Sequence, residues 1–233
     1  MISSTSPSGA SEASHPWVPR VSLRWCLLFI SACSPSSRTS LRFQSFDLIR
    51  RLTRLLLSLV LATGGVAERG RLGPTMVFTF IWGTIVYCPL ACMTWNAKGW
   101  SAANGGLDFA GGTPVHISSG TAALAISIYL GKRTGYGTEK LAYKPHNTTY
   151  VILGTVFLWF GWFGFNGGSA LAANLRAAQA CVITNLAASV GGLTWMLWDY
   201  RLERKWSAVG FCSGAISGLV AITPASGFVG SRE

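Results

Sequence analysis

The chain has 233 residues, half of them hydrophobic and only 12% charged, with a formal net charge of +11. Soluble domains carry about 25% charged residues, and disordered chains lack the 10 Trp and 12 Phe found here, so both classes are disfavoured. Six cysteines with no CxxC pair give no basis for a disulfide scaffold or structural zinc, and the basic residues sit in gaps between apolar runs, not on one nucleic-acid-binding face.

In chain order, residues 1–54 come first and are unlike the rest. They hold thirteen Ser, seven Arg and two acids, Glu12 and Asp47. Their apolar patch at 23–32 is too short to span a bilayer. An Arg- and Ser-rich, acid-poor start resembles a mitochondrial transit peptide. The preferred alternative is a segment, residues 1–59, that is disordered or mis-assigned at the start of the gene. The run 55–67 reads as the tail of a truncated spanning helix.

A bilayer core of about 30 Å needs roughly 20 apolar residues in a helix. Five runs meet this: 75–95, 112–130, 150–168, 178–198 and 208–229. The expected fold is an all-α membrane protein, a polytopic bundle of about five transmembrane helices. So many apolar runs leave too little polar surface for a soluble α protein. Arg50, Arg51, Arg54, Arg69 and Arg71 precede the first run. Lys132, Arg133, Lys140 and Lys144 follow the second, and Arg201, Arg204 and Lys205 follow the fourth. The other two gaps carry one basic residue each, Lys98 and Arg176. By the positive-inside rule the basic gaps are cytoplasmic, so the first run ends outside and the fifth does too. The sequon Asn147-Thr148-Thr149 falls on the cytoplasmic side and reads as chance.

Polar residues at membrane depth are costly and usually functional. Asp108 and His116 flank a Gly-Gly and a Pro at the start of the second run, which predicts a bent or loosened helix start. Asp108 is either a helix cap or part of a site. His116 either bridges helices or lines a path. Trp159, Trp162, Phe165 and Ser169 share one helical face, either a packing stripe or an apolar pore wall with a hydroxyl at its mouth. Trp95 is either an interfacial belt residue or a ring that attracts a small cation. A membrane enzyme using His116 with Ser118 or Ser119 has no nucleophile-elbow sequence to support it.

Several motifs, in order and at matching spacing, resemble the ammonium transporter, methylammonium permease and Rhesus protein family. They are AERGRLGP (67–74), TWNAKGW (94–100, in a fungal form), LDFAGGTPVHISSGTAALA (107–125), GWFGFNGGSALAAN (161–174) and GAISGLVAITPASGFV (214–229). The resemblance covers roughly residues 60–230, so residues 60–233 are expected to form a partial transporter domain matching helices four to eight of a fold with about eleven. It implies ammonium transport with no enzymatic activity, cofactor or metal. The implied partners are ammonium or ammonia and the lipid bilayer, with no nucleic acid. Family members are expected to be homotrimers in the plasma membrane.

Residue by residue, the resemblance places Trp95 and Ser169 at the outer ammonium-recruitment site. Phe165 becomes one of two stacked gate phenylalanines, Asp108 a structural acid near the site, and His116 the first of two pore histidines. The family's second gate phenylalanine and second pore histidine have no match here, and His15 and His146 lie in no matching context. The alternative is a non-conducting truncated fragment, or a regulatory subunit or ammonium sensor of the same family. Five isolated helices are expected to leave interior polar residues such as Asn166 facing lipid.

Overall fold

A computed structural model describes residues 54–67, 69–133, 135–138 and 145–230. The expectations for residues 1–53 lie outside the described residues. Every regular element described is helical, with no strand among the described residues.

Helix α1 is Arg54–Val66. Helix α2 runs from Leu72–Trp82 through a π-helical stretch, Gly83–Tyr87, into Cys88–Trp95. The widening has a local cause. Pro89 has no N–H to give the carbonyl of residue 85, and its ring crowds that carbonyl, so the turn before it opens. Trp100–Ala103 forms the one-turn helix α3. Helix α4 begins with π-helical Gly112–Ile117 and continues as Ser118–Leu130. Helices α5 (Thr148–Gly168), α6 (Leu175–Glu203) and α7 (Ala208–Ile222) complete the bundle. Residues 223–228, expected to be helical, form turns after α7. Pro224 lacks the N–H that another helical turn would use.

Among the described residues, three stretches are long and apolar enough to cross a membrane: Leu72–Ala103, Thr148–Gly168 and Leu175–Glu203. At about 1.5 Å per residue, the 29 residues of α6 exceed the hydrocarbon thickness, so its last turns reach the polar layer. There Tyr200 and Trp206 stack with ring centroids 4.4 Å apart, beside Arg201 and Arg204. Asn147 caps α5, its side chain accepting from the N–H groups of Thr149 and Tyr150. The sequon asparagine thus has a structural use as an N-cap.

The exterior is apolar and the interior is partly polar. Tyr129, Phe157, Phe160 and Leu175 are exposed, whereas Ser58, His116, Asn166, Thr184, Thr223 and Ser226 are buried. Lipid solvates the first group at no cost, and the second must find partners inside the bundle. Asn166 corrects an expectation. It does not face lipid but is fully buried and donates to the Thr184 hydroxyl at 2.9 Å, because α6 covers that face of α5. Helices α6 and α7 pack most closely along Gly191 and Gly214. A Cβ on Gly191 would stand 2.5 Å from the Gly214 carbonyl oxygen, so small residues set the helix spacing, as is usual within bilayers.

Contacts also fix which helix ends lie together. Arg69 donates to the Gly131 carbonyl, joining the ends of α1 and α4 that the charge pattern places in the cytoplasm. At the opposite end, Phe109 N–H donates to Pro224 O at 2.8 Å and Gln179 to Val229 O at 2.7 Å. Arg54 therefore does not share the end of the bundle that holds Arg69, as the charge pattern led one to expect. Helix α1 carries it to the end opposite Arg69, among Trp95, Phe165 and Ser169.

Candidate functional site

The site begins where α4 starts. Both carboxylate oxygens of Asp108 are engaged: Oδ1 accepts from Gly111 N–H at 2.6 Å and Gly112 N–H at 2.9 Å, and Oδ2 from Thr113 N–H at 2.7 Å. The capping reading of Asp108 is thus the observed one. These are helix-start donors with no intrahelical acceptor, and Pro114 has no N–H to satisfy. Gly111 has φ +119°, a conformation that favours glycine. A Cβ there would also crowd the Trp95 ring, at 3.0 Å. The Asp108 carbonyl accepts from the Trp95 indole N–H at 3.1 Å. One acid thus fixes the start of α4, and its backbone fixes the orientation of the indole.

The inward face of α5 meets this corner. Ser169 is buried, and its hydroxyl donates to Phe165 O at 2.7 Å. The oxygen also accepts from the Arg54 guanidinium, at 2.6 Å. The guanidinium carbon lies 4.6 Å from the Trp95 ring centroid and 5.6 Å from that of Phe165. Arg54 itself is only 4% exposed. A cation is therefore already seated between Trp95, Ser169 and Phe165.

Deeper in the bundle lies His116. Its imidazole stacks on Trp162, with centroids 5.3 Å apart and planes 16° from parallel. Phe165 meets it edge-on at 6.1 Å. The Trp162 indole N–H donates to Thr223 Oγ1 at 2.9 Å, so the turn that ends α7 holds the ring on which the imidazole rests. His116 Nε2 is buried without a hydrogen-bond partner among the described residues. Ser118 and Ser119 donate instead to the Pro114 and Val115 carbonyls, at 2.6 Å and 2.5 Å. Their hydroxyls are thereby committed to the backbone.

All five residues singled out from sequence come together. Trp95, Asp108 and Ser169 lie at one end, and Phe165 touches both the cation position and the imidazole. Two participants were missed. Trp162 was visible as part of the aromatic face, but its pairing with His116 is a tertiary fact. Arg54 follows Arg50 and Arg51 in the sequence and reads there as one more loop charge; nothing in that pattern signals its burial. Trp159 belongs to packing, donating to Asn185 at 3.2 Å. Among the described residues no cluster of three His, Cys, Asp or Glu could hold a metal ion.

The pattern of the Ammonium Transporter Family matches residues 34–232. Ammonium transporter 1 of Schizosaccharomyces pombe is 63% identical over 169 residues, covering 72% of this chain and 34% of that protein. Ammonium transporter MEP2 of Saccharomyces cerevisiae is 59% identical over 172 residues, with coverage of 72% and 34%. The crystal structure of Saccharomyces cerevisiae Mep2 has a TM-score of 0.77 at 42% identity, over 92% of this chain and 56% of that one. The chain thus spans about a third of the length of the curated relatives it matches.

Proposed function

The chain belongs to the ammonium transporter family, and from that membership we propose that it serves ammonium transport, with Trp95 and Ser169 as the recruitment site. It is an integral membrane protein; its placement in the plasma membrane and its assembly as a homotrimer are part of the proposal. Ammonium and potassium are similar in size, so size cannot select between them. Ammonium differs in donating directional hydrogen bonds. Trp95 offers the negative face of its ring, and Ser169 Oγ offers lone pairs.

Below that point Phe165 narrows the path. A bare ion entering an apolar constriction loses its hydration without compensation, whereas neutral ammonia loses far less. His116 Nε2 comes next. An unpartnered imidazole nitrogen can hydrogen-bond ammonia or hold the proton left behind. Asp108 serves by position, holding the start of α4 and the Trp95 ring. Commitment of the Ser118 and Ser119 hydroxyls to the backbone favours this reading over a membrane enzyme.

One observation carries the reading: a guanidinium held between the Trp95 face and Ser169 Oγ. A place that holds one hydrogen-bonding cation has the chemistry to hold another. The test is NMR of ¹⁵N-ammonium with the chain in lipid nanodiscs. Bound ammonium should show an upfield ring-current shift that disappears in Trp95→Ala. An equal shift in that variant would remove Trp95 from the site.

A further inference from the structure

We propose that Arg54 is a tethered occupant of the ammonium site and sets the ammonium concentration at which the site becomes available. The inference rests on the reading of Trp95 and Ser169 given above. It concerns what already fills their site.

The placement of Arg54 is built in. Helix α1 is wedged among its neighbours: Leu55 and Ala62 are buried, Leu55 and Leu59 lie against Gly83 of α2, and Gly65 lies against the Ala123 carbonyl of α4. Ser58, fully buried, donates to the Arg54 carbonyl at 2.9 Å. The Cα of Arg54 is thereby fixed at the rim of the site, and its side chain satisfies the same two requirements as ammonium. It presents a delocalised cation to an aromatic face and donates a hydrogen bond to Ser169 Oγ. Guanidinium is weakly hydrated and stacks well on aromatic rings, so it suits a desolvated aromatic site. It cannot pass Phe165, because it is covalently held. It cannot leave by losing its proton, because arginine stays charged in proteins.

Free ammonium must therefore compete with a ligand that is always present. A short tether presents its ligand at an effective concentration in the millimolar range. Occupancy of the site by Arg54 for about nine-tenths of the time would weaken the apparent ammonium affinity about tenfold. A displaced Arg54 has an exit, because long basic side chains extend readily toward the nearby aqueous boundary.

The experiment measures thermal unfolding of the full 233-residue chain in lipid nanodiscs, with ammonium chloride titrated against sodium chloride at constant ionic strength. A ligand that binds only the folded state raises the Tm once its concentration passes its Kd. The expected result is that Arg54→Met begins to rise at an ammonium concentration at least tenfold below the wild type. Arg54→Lys, which keeps a tethered cation, should stay within about threefold of the wild type. In Arg54→Met, millimolar methylguanidinium should compete with ammonium and restore the wild-type threshold. If Arg54→Met does not fold, Arg54→Gln takes its place. Equal thresholds in the wild type and the neutral variant, both abolished by Trp95→Ala, would overturn the tethered occupant while leaving the ammonium site standing. No ammonium-specific shift in any variant would overturn both.

Discussion

Replacement of Asp108 tests the structural core of the site. In Asp108→Ala the N–H groups of Gly111 and Gly112, both buried, lose their acceptor, and so does the more exposed N–H of Thr113. An unsatisfied buried donor costs about 1–3 kcal/mol, and loss of a helix cap about 0.5–2 kcal/mol. Partial rehydration at the half-buried position reduces the sum, so the expected loss is about 2–4 kcal/mol. In Asp108→Asn one oxygen can still accept from Gly111 and Gly112, but the amide NH2 faces the Thr113 N–H, donor against donor. That variant should lose about 1–2 kcal/mol. Reversible unfolding by sodium dodecyl sulfate in mixed micelles, followed by circular dichroism, measures both. An Asp108→Ala variant within about 0.5 kcal/mol of wild type would refute the capping argument.

Trp162→Phe keeps the ring under His116 but removes the N–H donated to Thr223, and should cost about 1 kcal/mol in the same unfolding assay; an unchanged midpoint would contradict it. Gly214→Leu would force α6 and α7 apart and should destabilise the chain by more than about 2 kcal/mol, whereas the same change at open, lipid-facing Gly154 should not. An impermeant thiol reagent applied to intact cells should label Asn104→Cys but not Tyr136→Cys, both in a background lacking the native cysteines. The reverse pattern would invert the proposed topology.

Helix placement was legible because the bilayer requires long apolar runs, and α2, α5 and α6 follow them closely. The looser start of α4 was also legible from Gly111, Gly112 and Pro114 around Asp108. The end of α7 was not. The run 208–229 stays apolar past Ile222, and hydropathy does not register the N–H that Pro224 lacks. Asn166 was misplaced because run-level reasoning gives the face of a polar residue but not which helix covers it. Thr184, its partner, lies on α6, the next helix along.

The site residues were legible as a resemblance, and which of them meet became visible only in three dimensions. Asp108 turned out to cap a helix while its carbonyl orients Trp95. Arg54 was misread for a physical reason. The positive-inside rule treats each Arg near an apolar run as a loop charge, and α1 was too short a run to separate Arg54 from Arg69.

The central claim is that a cation site made by Trp95 and Ser169 feeds a path past Phe165 to His116. Uptake of radiolabelled methylammonium by proteoliposomes containing the chain tests this most directly, across a millimolar concentration series. The account predicts saturable uptake that ammonium suppresses and equimolar potassium does not. Uptake should fall about tenfold in Trp95→Ala, in line with a desolvated cation–π contact, and His116→Ala should change the rate even at saturation. Uptake no faster than in empty liposomes, or equal suppression by potassium and ammonium, would contradict it.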